Sequence, residues 1–180
     1  DLAALGAKTG ATVAAQFFSA RIERGAGRTP VARIPYAVDP AIAFLKPFRH
    51  LVLIETGEPV AFFSYPDKPS LLKAPGAQVH QVVAAGGDGA AALEALCDLV
   101  QARGARAQVQ ARAGRGVARG PLTPQSVADV LRDGLPENCI LVDESLTTGR
   151  ETYALTGGAA PHDTLQNMGG STGFSPPASV

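Results

Sequence analysis

An α/β fold built on a parallel sheet is what this chain predicts, on three observations. Residues 51–54, 60–63 and 79–83 are continuous apolar runs of strand length, the kind found in strands covered on both faces. From Asp88 the period changes to 3.6, with Ala92, Leu93, Leu96, Cys97 and Val100 on one face, which predicts the best helix of the chain. After Thr123 a helix pattern and then another apolar run, 139–142, follow in turn. Strands that alternate with helices form units with right-handed crossovers and parallel pairing.

The elements follow in order. Residues 1–10 read as a helix end closed by Gly10, and 11–18 as a short apolar strand. Residues 21–35 are polar and broken by glycine. Asp39-Pro40 predicts a helix start, because a carboxylate can cap free amides and proline suits the first turn. Ala41, Ile42, Leu45 and Phe48 supply its buried face, and Pro47 limits its length. Residues 103–120 carry five arginines, no acid, and many Gly, Ala and Gln residues, a composition that reads as a solvated linker. Thr123-Pro124 again places a cap before a proline, Val127, Val130 and Leu131 line one side, and Gly134 closes the helix. Residues 139–142 predict a buried strand, and 150–155 a short helix. The predicted domains are therefore 1–103, a linker over 104–122, and 123–180.

Composition narrows the function classes. The 180 residues include 16 basic and 16 acidic side chains, so no global charge draws the chain to nucleic acid or to an anionic membrane. No apolar run approaches the roughly 20 residues of a membrane helix. The arginine-rich stretch has no aromatic residue to stack a base, which also argues against nucleic acid. Cys97 and Cys139 are too few for a disulfide framework and lack metal-ligand spacing, so a reducing cytoplasm is the expected location. The first residues lack a Met and a signal pattern, and the chain reads as an internal fragment of a longer polypeptide.

Two segments could carry chemistry. Residues 141–149 run from a strand into Asp143-Glu144-Ser145-Leu146-Thr147-Thr148-Gly149, and ligands of open α/β sheets bind at the carboxyl ends of strands. Hydroxyls and free amides there make an anion cradle suited to phosphate, although hydroxyls at a strand end also act as plain caps. It is not a Walker loop, since no lysine follows Lys73. The second segment is Gln166-Asn167-Met168-Gly169-Gly170-Ser171-Thr172-Gly173-Phe174, where glycines allow close backbone approach to a flat ligand. Its glycine spacing is wrong for a dinucleotide fingerprint, and no strand is evident before it. The other candidates carry less. His50, His80 and His162 have no ligand spacing, and His80 reads as a structural histidine within a strand. Phe62, Phe63 and Tyr65, with Pro66 and Pro69, read as core and turn packing or as the floor of a pocket. Asp143 and Glu144, adjacent along a strand, point to opposite faces, which speaks against a shared acid/base role.

With these segments in view, the chain resembles the thiamine-diphosphate-dependent enzyme superfamily, and within it the acetolactate synthase large subunits, with benzoylformate decarboxylase as a more distant likeness. Pro35-Tyr36, residues 48–53 and residues 59–66 resemble the later part of the family's central domain, a Rossmann-like layer. Residues 123–180 resemble the opening of the C-terminal domain that grips the diphosphate. The resemblance implies that Glu144, Ser145, Leu146, Thr147 and Thr148 lie at the terminal phosphates, with Leu146 acting through its backbone and Thr147 through hydroxyl and amide. It implies that Gly169, Gly170, Ser171 and Thr172 lie along the cofactor, with the Gly170 carbonyl facing the exocyclic amine of the aminopyrimidine. Thr172 stands where relatives carry a larger Met or Leu wedge, and Ser175-Pro176-Pro177 departs from the usual Gly-Leu-Pro.

The chemistry so implied is formation of a thiazolium ylide, attack on a 2-oxo acid such as pyruvate, loss of carbon dioxide, and carboligation in branched-chain amino acid biosynthesis. The cofactors are thiamine diphosphate and Mg2+, whose Gly-Asp-Gly ligand segment lies outside these residues, as does the activating glutamate. No catalytic residue is therefore assigned here, and the fragment alone is expected to be inactive. Flavin (FAD) is not assigned, and a homodimer or homotetramer is expected. Two other readings stand beside this one: a 2-oxo acid decarboxylase, which the Ser-Leu-Thr-Thr turn resembles, and a non-catalytic Rossmann-like binding module.

Overall fold

The computed structural model describes residues 2–114, 116, 119–149, 151–167, 170 and 172–180. The elements run α1 (Leu2–Thr9), β1 (Ala14–Ala15), β2 (Arg21–Arg24), β3 (Ala32–Arg33), α2 (Val38–Leu45), β4 (His50–Ile54) and β5 (Gln78–Val83). They continue with α3 (Gly89–Leu99), α4 (Pro124–Gly134), β6 (Cys139–Asp143), α5 (Thr152–Thr156), β7 (His162–Gln166) and α6 (Ser175–Ala178). The fold is mixed α/β with parallel pairing, as the alternation of elements predicts. The residues group into two compact units, 1–17 with 32–106, and 18–31 with 107–180.

In the first unit β1 pairs in parallel with β3, and β4 in parallel with β5. The core gathers Val38, Ala41 and Leu45 of α2 with Leu72, and Ile34, Ile42, Phe44, Phe48 and Leu51 pack against it. The start of α2 differs from the expected Asp39 cap. Ala37 is the N-cap, with no side-chain bond, and Asp39 in the first turn pairs instead with Lys68 at 2.8 Å. Asp88 does cap α3, accepting the Ala91 N–H at 2.9 Å, and Cys97 lies in the buried stripe of that helix.

Three readings of the first unit are corrected. β4 is not covered on both faces: Leu53 is buried but Val52 is 55% exposed. Residues 60–63 form no strand beyond one isolated bridge, Val60 to Leu71, because the prolines around them interrupt ladder pairing. Phe62, Phe63 and Tyr65 are not core residues. They stay partly exposed and touch one another in a row, with ring centroids 4.7 and 6.2 Å apart.

The second unit is a three-stranded sheet in the order β2-β7-β6, with β6 parallel and β2 antiparallel to the central β7. The polar stretch 21–35, read as irregular, supplies β2 and β3. Residues 18–31, kept with the first domain by the sequence reading, group here because β2 pairs with β7 from Arg21 opposite Leu165 to Arg24 opposite His162. Gly25 makes the next step possible. Its φ is +97°, and a Cβ there would lie 2.9 Å from the Pro161 Cα, so only glycine brings this turn against 160–161.

The arginine-rich stretch is tied down as well as solvated. Gln110 exchanges backbone hydrogen bonds with Gly27 and Arg28 at 2.9 Å, and Ala113 N–H donates to Gly158 O at 3.0 Å. α4 has the expected start: Thr123 and Ser126 form a reciprocal capping box ahead of the helix. Its buried residue is Ala128, however, and Val130 faces solvent. β6 likewise exposes Ile140, so it is not the fully buried strand its apolar run predicts.

Candidate cofactor-binding corner

β7 is, with β2 and β3, a strand that sequence reasoning missed, and it is what positions the site. His162, Thr164 and Gln166 are buried on one face of it, so the alternation is present but carried by polar side chains. β6 and β7 run in parallel and in register, Cys139 opposite His162 through Asp143 opposite Gln166. Residues 143–149 therefore leave the carboxyl end of β6, and Asn167 that of the neighbouring parallel strand β7, where the backbone of an α/β sheet opens for a ligand.

The first corner is set by Asp143. Its Oδ1 accepts the Ser145 N–H at 2.9 Å and the Ser145 hydroxyl, an Asx-type turn that ends the strand. Gly149 is buried directly against Ser145, where a Cβ would overlap the Ser145 side chain, and its carbonyl accepts the Thr152 N–H at 3.0 Å to start α5. Between them Leu146, Thr147 and Thr148 are exposed. Leu146 is 73% exposed, with no packing role for its side chain.

The second corner follows β7. Asn167 is buried, and its Oδ1 has no hydrogen-bond partner among the described residues. Gly170 has φ +66° and Gly173 +92°, left-handed values that favour glycine, and Thr172 is exposed. Gly169 and Ser171, also expected here, lie outside the described residues, as does Met168.

Glu144 joins the two corners. Its Oε2 accepts the Ser175 N–H at 2.7 Å, and its Oε1 accepts the Gly173 N–H. These backbone donors hold the Glu144 carboxyl below its usual range, the Ser175 bond first and the Gly173 bond second. The two carboxylates Asp143 and Glu144 thus have separate partners, in keeping with their opposite directions along the strand. Glu144, Ser145, Leu146, Thr147, Thr148, Gly170 and Thr172 are in this way brought to one end of one sheet.

Deeper in the same sheet His162 is buried, with Nδ1 2.7 Å from the Ala160 carbonyl oxygen. Burial lowers its pKa, and nearby Arg24 adds to that effect. Arg24 is itself buried on β2, lies 3.4 Å over the Tyr153 ring, and donates to the Tyr153 carbonyl. Arg24 was not singled out in the sequence; only its alternation with Ile22 and Glu23 could have marked it. Among the described residues, no group of three or more His, Cys, Asp or Glu side chains could hold a metal ion. Among the same residues, no helix is long and apolar enough to cross a membrane.

No protein-family model matches the chain. One similar protein is "Putative acetolactate synthase large subunit IlvX" of Mycobacterium tuberculosis, 43% identical over 172 residues, which cover 96% of this chain and 33% of the relative. The chain spans about a third of the length of that curated relative. The likeness drawn from the residues holds nearly end to end: this chain is similar to a segment of an acetolactate synthase large subunit.

Proposed function

We propose that the chain is a segment of a thiamine-diphosphate-dependent enzyme that decarboxylates and joins 2-oxo acids, and that its second unit supplies part of the diphosphate grip. The observation that carries this reading is the Glu144 bridge, which fixes both sequence-predicted corners at the ends of two adjacent parallel strands.

The residues present fit a pyrophosphate tail. Thr147 and Thr148 are exposed in the turn ahead of α5, and hydroxyl and amide donors at such a turn satisfy phosphate oxygens. Glu144 offers a phosphate only its backbone, because its carboxylate is committed to Gly173 and Ser175. Gly170, which has no side chain of its own, can bring its carbonyl to an exocyclic amine. Thr172 presents less bulk than the Met or Leu of relatives and so wedges a bent cofactor less firmly. When bound, the cofactor supplies the electron sink for loss of carbon dioxide. A Mg2+ ion finds no ligand set among the described residues, and no step is assigned to one.

The test uses the full-length protein, with carbon dioxide release from pyruvate measured in the presence of thiamine diphosphate and Mg2+. Thr147→Val is expected to weaken cofactor affinity, and Thr172→Leu to leave or improve cofactor retention. Unchanged affinity in the first variant, or lost binding in the second, defeats the assignment. The turn Ser145-Leu146-Thr147-Thr148 favours a second reading, a simple 2-oxo acid decarboxylase. The product separates the two: a two-substrate acyloin acid for the carboligase, a free aldehyde for the decarboxylase.

A further inference from the structure

His50 begins β4 and His80 lies within the parallel neighbour β5. Their partners in the register are Gln78 for His50 and Val52 for His80, so the two imidazoles stand on the same face of the two-stranded sheet, one step apart along it. Both are exposed, and His50 Nδ1 lies 3.1 Å from His80 Nε2, with the ring centroids 5.3 Å apart. The histidine read as structural within its strand, His80, thus has His50 as its hydrogen-bond partner.

We propose that His50 and His80 form a two-histidine site for a borderline transition-metal dication such as Zn2+, Ni2+ or Cu2+. In the hydrogen-bonded form one nitrogen donates and the other accepts, so one proton occupies the space between them. An ion can take that proton's place once the exposed rings swing to aim both lone pairs at it. With metal–nitrogen bonds of about 2.05 Å, the 3.1 Å separation corresponds to a ligand–metal–ligand angle of roughly 98°. That angle lies between the cis arrangement of an octahedral or square ion and the tetrahedral one. Two imidazoles without a carboxylate select borderline ions over Mg2+ or Ca2+, and water completes the coordination. The register partners of the two histidines, Gln78 and Val52, are not carboxylates. The chain's third histidine, His162, is buried, so the accessible imidazoles are these two.

The site is independent of the thiamine-diphosphate reading, because it uses no residue of the second unit. Metal and proton compete for the same nitrogens, so binding should weaken as pH falls. The test titrates the 180-residue chain, kept reduced, with Zn2+ while the histidine ring resonances are followed by NMR. One ion per chain is expected, with the His50 and His80 resonances moving together, His162 unmoved, and excess Mg2+ without effect. His50→Gln and His80→Gln should each weaken Zn2+ binding by roughly tenfold or more. Movement of only one ring, no binding at millimolar Zn2+, or affinity in either variant equal to that of the unaltered chain overturns the proposal. The resonance readout on the unaltered chain decides the question even if a variant folds poorly.

Discussion

The Glu144 carboxylate accepts the Ser175 N–H at 2.7 Å, across 31 residues of chain. One side chain at the end of β6 thereby sets the course of the backbone beyond β7. Replacement by Gln keeps the shape but turns a charge-assisted acceptor into a neutral one. Glu144→Gln should speed amide exchange at Gly173 and Ser175 while leaving β6 protected. Because the carboxyl is held below its ordinary value of 4.5, its contribution is present above that pH and is lost as pH falls through the lowered value. Exchange rates at these two amides that match the wild type, or that show no acid dependence, remove Glu144 from this role.

Gly149 has a different constraint, steric rather than electrostatic. A methyl group there meets the Ser145 side chain and, at 3.3 Å, the Ser145 carbonyl oxygen. Gly149→Ala should lower stability by about 1–3 kcal/mol, measured by urea unfolding. Adding Ser145→Gly removes most of the obstacle and should restore part of the loss, so the two changes should not add.

His162 predicts how the second unit responds to acid. Burial holds its folded pKa below the ordinary 6.5, so the native state favours the neutral ring. The sign follows: its contribution is whole above about 6.5 and fades as pH drops towards the depressed value, since only the unfolded chain takes up the proton readily. His162→Gln should therefore flatten the slope of melting temperature between neutral pH and pH 5. A slope equal to that of the wild type assigns acid sensitivity elsewhere.

The thiols should be slow. Cys97 is buried in α3, and burial raises the Cys139 thiol above its usual value. Cys139 therefore forms little thiolate near neutral pH, and the burial of Cys97 keeps reagents from its sulfur. A thiol reagent applied to the folded chain at pH 7 should modify Cys97 only after denaturant is added and half-buried Cys139 slowly; fast labelling of Cys97 contradicts its burial in α3.

How much of this was legible depended on whether apolar residues carried the signal. α3 and α4 could be read because Asp88 and Thr123 cap them and a periodic stripe follows. β7 could not, because His162, Thr164 and Gln166 give a polar strand whose identity comes from pairing with β2 and β6 rather than from hydrophobicity. β2 was hidden for the same reason, with Ile22 alone among Arg21, Glu23 and Arg24. Opposite errors arose at Val52, Ile140 and Phe63, apolar residues that a small sheet or a proline-flanked loop leaves in solvent. The two corners were visible as composition, hydroxyls in one and glycines in the other. Their link through Glu144 was not, since a carboxylate reaching two distant amides leaves no periodic trace.

The insertion of residues 18–31 into the second unit also governs how the chain can be divided. A shortened chain starting at residue 107 would keep β6, α5 and β7 but lose β2, uncovering the ladder groups of β7 that pair with Arg21–Arg24. Such a bare strand margin is a template for self-association. The sheet that carries the 143–149 turn therefore depends on a ribbon contributed from nearly 140 residues earlier in the chain, as with Arg24 and His162.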